Sequence, residues 1–162
     1  KLLTTAAALQ MVNDRTPEAL APLAKWILVV NQQSDNASAD ALLRHIGGQK
    51  AVRRVLASLG VNPTSYAQFD GSGLSRRNRA KPSTFVQLLK GMYFADENGV
   101  FYRSLPVAGV SGTLRNRFRK TLAQGKVHAK TGTLNGVRAL SGYVEAPNYG
   151  TIAFSIVVNQ PQ

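Results

Sequence analysis

Residues 127–159 constrain the fold more than any other part of the 162-residue chain. Val127–Thr133, Val137–Glu145 and Thr151–Asn159 read as strands, bounded by turn-forming residues. Asn135-Gly136 between the first two is a strong two-residue hairpin signal. Pro147-Asn148-Tyr149-Gly150 supplies the second turn. Connections this short permit antiparallel pairing only. The chain is therefore expected to end in a three-stranded antiparallel meander.

What precedes the meander reads as helix and loop. Lys1–Gln10 is rich in Ala and Leu. Thr16-Pro17-Glu18 is a helix start, with Thr as cap, Pro in the first turn and an acid at the positive end of the dipole. Leu20, Leu23, Ala24, Ile27 and Val30 continue it as an apolar stripe that should end near Asn31–Gln33. Further helices are expected over Ala37–Ile46, stopped by Gly47-Gly48, over Gln49–Leu59, stopped by Gly60, and over Ser83–Phe94, opened by Pro82. Asn62–Arg79 and Leu105–Gly112 read as loops, and Thr113–Leu122 as a short basic helix. Helices first and a meander last give an α+β fold, a helical cluster packed on one antiparallel sheet.

Composition narrows the function classes. With 44% apolar residues the chain can bury a core and is no disordered tail. Its longest apolar segments, Trp26–Val30 and Ile152–Val158, fall far short of the about 20 residues of a transmembrane span. The absence of cysteine excludes disulfides, zinc–thiolate sites and a cysteine nucleophile. Lys1–Leu9 faintly resembles a signal peptide, but it has no initiating Met and no clean cleavage site, so it reads as the interior of a longer gene product. The net charge is +12, and residues 71–138 hold 13 basic side chains against 2 acidic ones. Such a field favours a polyanion (nucleic acid, anionic lipid or wall polymer) or else marks a solvated basic face.

Two tripeptides carry chemistry together. Ser34-Asp35-Asn36 falls in the break between two expected helices, and Lys130-Thr131-Gly132, followed by Thr133, lies on the first expected strand. S-D-N and K-T-G accompany S-x-x-K in enzymes that acylate a serine with an amide or lactam carbonyl. That chemistry needs a lysine able to accept the serine proton, a hydroxyl and an amide that relay protons and hold substrate, and a cation with hydroxyls for a terminal carboxylate. Strand amides supply the oxyanion site. His45 and His128 find no third ligand in the sequence, so no metal site and no cofactor are expected. The Gly-rich Asp70-Gly71-Ser72-Gly73-Leu74-Ser75-Arg76 reads as a turn that shapes the site wall, with neither Ser72 nor Ser75 as nucleophile.

Asp70–Arg76, Leu105–Leu114 (LPVAGVSGTL) and Ala129–Leu134 (AKTGTL), in that order, resemble the D-alanyl-D-alanine carboxypeptidase/endopeptidase family of class C low-molecular-mass penicillin-binding proteins, the S13 peptidases. Lys1–Leu9 resembles the helix that carries that family's S-x-x-K. The resemblance implies an incomplete penicillin-recognising fold of the β-lactamase/transpeptidase type, spanning residues 1–162. It also implies an envelope enzyme, periplasmic or extracytoplasmic, acting on peptidoglycan D-Ala-D-Ala stem peptides through an acyl-enzyme. β-Lactams would inhibit the intact enzyme, with no specific nucleic-acid partner. By the same resemblance Lys1 is the general base, Ser34 passes a proton to the leaving amine, and Asn36 binds the substrate amide and steadies the lysine. Lys130, Thr131, Gly132 and Thr133 hold the substrate's C-terminal carboxylate.

Two departures accompany it. The nucleophilic serine of the pattern belongs three residues before Lys1, outside the sequence. Only 33 positions separate Lys1 from Ser34, which places a deletion near residues 10–20 or makes the chain a fragment. Residues 1–162 alone are therefore expected not to form an acyl-enzyme. A class A β-lactamase relative is the alternative within the superfamily, but Glu97 is the only Glu between Asn36 and Lys130 and lacks the expected setting. A basic, non-enzymatic binding module for nucleic acid or anionic polymer is the alternative outside it.

Overall fold

The computed structural model describes residues 1–160. Helices α1 (Leu2–Gln10), α2 (Pro17–Gln32), α3 (Asn36–His45) and α4 (Gly48–Ser58) are followed by a small hairpin, β1 (Tyr66–Ala67) and β2 (Arg79–Ala80). Helices α5 (Pro82–Ala95) and α6 (Val100–Ser104) come next, then a 3₁₀ turn at Gly112–Leu114. Strands β3 (Val127–Leu134), β4 (Val137–Ala146) and β5 (Gly150–Asn159) close the chain.

Helix α1 is the hub. Every residue from Leu2 to Leu9 is buried, so it has no solvent face. A helix apolar all round must be enclosed on all sides, and α1 touches each of the other helices. Helix α2 starts as the sequence indicates, with the Thr16 side chain accepting the Ala19 N–H at 3.4 Å. Its buried Asn31 donates to the Ser104 hydroxyl at 2.8 Å and ties α2 to α6. Helix α5 buries Leu88, Leu89 and Met92 and packs on β5 and β4. There the buried Tyr143 hydroxyl donates to the Leu89 carbonyl at 2.6 Å.

The expected meander forms, in the order β3-β4-β5 and antiparallel throughout. Lys130 pairs with Ser141, and Ser141 with Ser155, whose hydroxyls meet at 2.8 Å. One face of the sheet meets the helices. The other is covered by residues 108–123, where Ala108, Leu114 and Phe118 pack on Val127, Leu140, Val144 and Phe154.

Two local expectations are corrected, and one element is added. Thr113–Leu122 forms no helix beyond the 3₁₀ turn: Phe118 and Lys120 sit in the left-handed region, at φ 62 and 57. Four bases without an acid, two of them (Arg115 and Arg119) at the repulsive i,i+4 spacing, leave a helix there unsupported. The Asn62–Arg79 loop contains a two-residue hairpin, Tyr66 with Ala80 and Ala67 with Arg79, too short for an alternating pattern to show. Helix α6 is five residues long, below the length at which periodicity is readable.

Candidate active site

A cavity of about 720 Å³ opens where the start of α1, the α2–α3 junction, the Asp70–Arg76 turn and strand β3 meet. Its lining includes Lys1, Ser34, Asn36, Lys130, Thr131, Gly132 and Thr133, so the side chains named from the motifs converge on one space.

Each residue of Ser34-Asp35-Asn36 has its own task. Ser34 turns the chain out of α2 in the left-handed conformation, φ 57, unusual for a non-glycine residue. Asp35 is the N-cap of α3 and accepts the Ser38 N–H at 2.6 Å. The capping role thus falls on Asp35 alone. The Ser34 hydroxyl accepts from Lys130 Nζ at 2.8 Å, and Asn36 Oδ1 accepts from Lys1 Nζ at 2.6 Å.

The two lysines differ in setting. Lys1 Nζ also donates to the Ser72 carbonyl, again at 2.6 Å. Burial pulls its pKa below the ordinary lysine value, and the charges of Asp40, Asp70 and Asp35 pull it back. Lys130 is 5% exposed. Burial first, and the charge of Lys1 second, bring its pKa down to about 7. An amine in that range can both hold an anion and exchange a proton near neutrality.

Strand β3 offers an edge that is half covered. Ala108 N–H donates to the Val127 carbonyl and Ala129 N–H to the Pro106 carbonyl, each at 2.9 Å. The 106–108 segment thus takes the backbone groups of Val127 and Ala129, which point away from β4. The same parity turns the backbone groups of Thr131 and Thr133 to that edge, beyond the covering segment. The Thr131 carbonyl accepts from Lys130 Nζ at 3.0 Å, and the Thr131 hydroxyl donates to the Thr113 hydroxyl at 2.9 Å. An open strand edge is a template for an extended peptide.

The histidines stand elsewhere. His45 packs on Trp26, ring centroids 5.4 Å apart. His128 stacks on Tyr102 at 4.4 Å. Among the described residues no group of three or more metal-ligating side chains is assembled.

Several groups at the site escape the motifs. The Ser72 carbonyl has no sequence signature, because any residue carries one. Asp40, Asp70 and Thr113 act on the site through backbone groups or a second hydroxyl. The spacing of Asn36 and Asp40, four apart on one helix face, is the signal that could have found Asp40.

The D-Ala-D-Ala carboxypeptidase 3 (S13) family model matches residues 16–162. The chain is 42% identical over 155 residues to a D-alanyl-D-alanine carboxypeptidase of Actinomadura sp. (strain R39), covering 86% of this chain and 29% of the relative. Penicillin binding protein 4 of Haemophilus influenzae superposes with a TM-score of 0.81 at 28% identity, covering 86% of this chain and 34% of that one. The same protein has also been solved complexed with a β-lactam. TLA-3 extended-spectrum β-lactamase, at 19% identity and a TM-score of 0.72, shares the fold over 98% of this chain. The chain thus has the penicillin-recognising fold and spans about a third of the length of the carboxypeptidase relatives it matches. With the motifs in order, their side chains around one cavity and a family match over nine-tenths of its length, the chain belongs to the D-Ala-D-Ala carboxypeptidase 3 (S13) family.

Proposed function

We propose that these residues form the proton-transfer and carboxylate-binding part of a serine D-Ala-D-Ala carboxypeptidase/endopeptidase site acting on peptidoglycan stem peptides in the bacterial envelope. The observation that carries this is the pairing of two lysines, Lys1 half-buried and Lys130 buried, each held by one member of Ser34-Asp35-Asn36, beside an open strand edge. The family pattern puts the nucleophilic serine three positions ahead of Lys1. Lys1 takes the proton of that serine as its oxygen attacks the carbonyl before the terminal D-Ala. The peptide lies along the edge of β3, where a backbone N–H faces the developing oxyanion. Lys130, Thr131 and Thr133 hold the terminal carboxylate. As the C–N bond breaks, Ser34 passes a proton to the leaving amine, and water then hydrolyses the acyl-enzyme. A β-lactam enters by the same route. The class A β-lactamase alternative requires a deacylating glutamate. Among the described residues lining the cavity the acid is Asp70, while Glu97 lies beyond the end of α5.

A fluorescent penicillin tests the proposal. Residues 1–162 alone should remain unlabelled, whereas protein with a Ser-x-x sequence immediately ahead of Lys1 should be labelled one to one. In that protein Lys1→Met and Lys130→Met should each slow labelling by about 10²-fold or more. Stable stoichiometric labelling of residues 1–162 alone overturns it.

A further inference from the structure

The Lys1 amine is held by two acceptors, and the second depends on a residue outside the motifs. The Ser72 carbonyl lies 2.6 Å from Lys1 Nζ, as close as Asn36 Oδ1. A carbonyl in an irregular turn is only as well placed as the turn itself. This turn is tied to α3, where Asp40 Oδ1 accepts from both the Gly71 and Ser72 N–H groups, each at 2.8 Å. Both are hydrogen bonds to a carboxylate, the stronger kind. Gly71 approaches α3 so closely that a Cβ there would fall 2.1 Å from the Ala39 carbonyl oxygen. Asn36 and Asp40, four apart on α3, therefore deliver both acceptors from one helix face, the first directly and the second through the turn.

A neutral lysine amine has two N–H bonds and one lone pair. With its N–H bonds given to Asn36 Oδ1 and the Ser72 carbonyl, the lone pair is left in the one remaining direction. We propose that Asp40 is a positioning residue: by anchoring the Gly71–Ser72 turn it fixes the second acceptor and so aims the lone pair of Lys1. This rests on Lys1 being the general base. Without the anchor the turn drifts, the carbonyl moves away and the amine rotates off line. Asp40 acts through charge as well. Asp35, Asp40 and Asp70 all favour the Lys1 proton, Asp40 most strongly, while Lys130 faces the same cavity with the opposite sign.

The test follows acylation by a fluorescent penicillin from about pH 5 to about pH 10, in protein carrying a Ser-x-x sequence ahead of Lys1. Asp40→Ala should lower the maximal acylation rate by about tenfold or more, with non-covalent affinity little changed. Asp40→Asn keeps an acceptor oxygen but loses the charge. It should recover most of that rate, and its rising limb should lie at lower pH than in the parent, because a carboxylate that held the proton is gone. An Asp40→Ala protein with the parent rate and limb overturns the proposal. So do Asp40→Ala and Asp40→Asn proteins that are equally slow with an unmoved limb. If Asp40→Ala fails to fold, the position of the Asp40→Asn limb decides alone. Lys1→Met separates the two claims: acylation at the parent rate there removes the general base itself, whatever Asp40 does.

Discussion

Lys130 combines burial with a proposed role that needs charge. Its pKa of about 7 is set chiefly by desolvation and next by Lys1. A carboxylate arriving beside it favours the protonated form and raises that value. Affinity for a carboxylate ligand should therefore be greatest below about pH 7 and fall as pH rises above it, with proton uptake on binding in that range. Calorimetry with an N-acylated D-Ala-D-Ala dipeptide, in buffers of different ionisation enthalpy, measures both. Affinity and proton count that stay flat from about pH 6 to about pH 9 would remove Lys130 as the cation of the carboxylate site. At this scale the sequence was most legible for side chains whose chemistry is rare. Ser34, Asn36 and Lys130 stand out because hydroxyl, amide and amine at that order have few other uses. The Ser72 carbonyl does not, being a group that every residue has, and Asp40 looks like any polar position of an amphipathic helix.

Among the elements, β3 presents the site and β4 fixes β3. Gly142 on β4 lies opposite Ala129, and a Cβ there would come within 2.1 Å of the His128 carbonyl oxygen and 2.5 Å of the Ala129 Cα. Both atoms belong to backbone, so β3 must move to make room. Gly142→Ala should cost about 1–3 kcal/mol in urea unfolding, and in acylation-competent protein it should slow penicillin labelling, since Lys130 follows Ala129 directly. Parent-like stability and labelling would show that the two strands are not held to this spacing. The strands themselves were readable because two-residue turn chemistry at Asn135-Gly136 fixes their pairing locally. The 113–122 segment misled for a physical reason. Leu114, Phe118 and Leu122 have helical spacing, yet Leu114 is buried while Leu122 is 92% exposed. The pattern announced a face, and clustered positive charge removed the helix that would have presented it.

For the molecule as a whole, burying cations makes stability depend on pH. Unfolded Lys130 keeps its proton to about 10.5, whereas the folded protein releases it near 7. Between those values the unfolded state binds more protons, so stability should rise as pH increases through this window. Urea midpoints should therefore be higher near about pH 9 than near about pH 6, and Lys130→Met should flatten the rise. An unchanged slope in Lys130→Met would place its origin elsewhere. The enclosure of α1 has a further consequence. Lys1 stands at the first turn of a helix that touches every other helix and shows no face to water. No local opening can free that helix, so its amide hydrogens should exchange with solvent only through global unfolding. On heating, the cavity should then persist up to the temperature at which the whole protein melts and vanish in the same cooperative step.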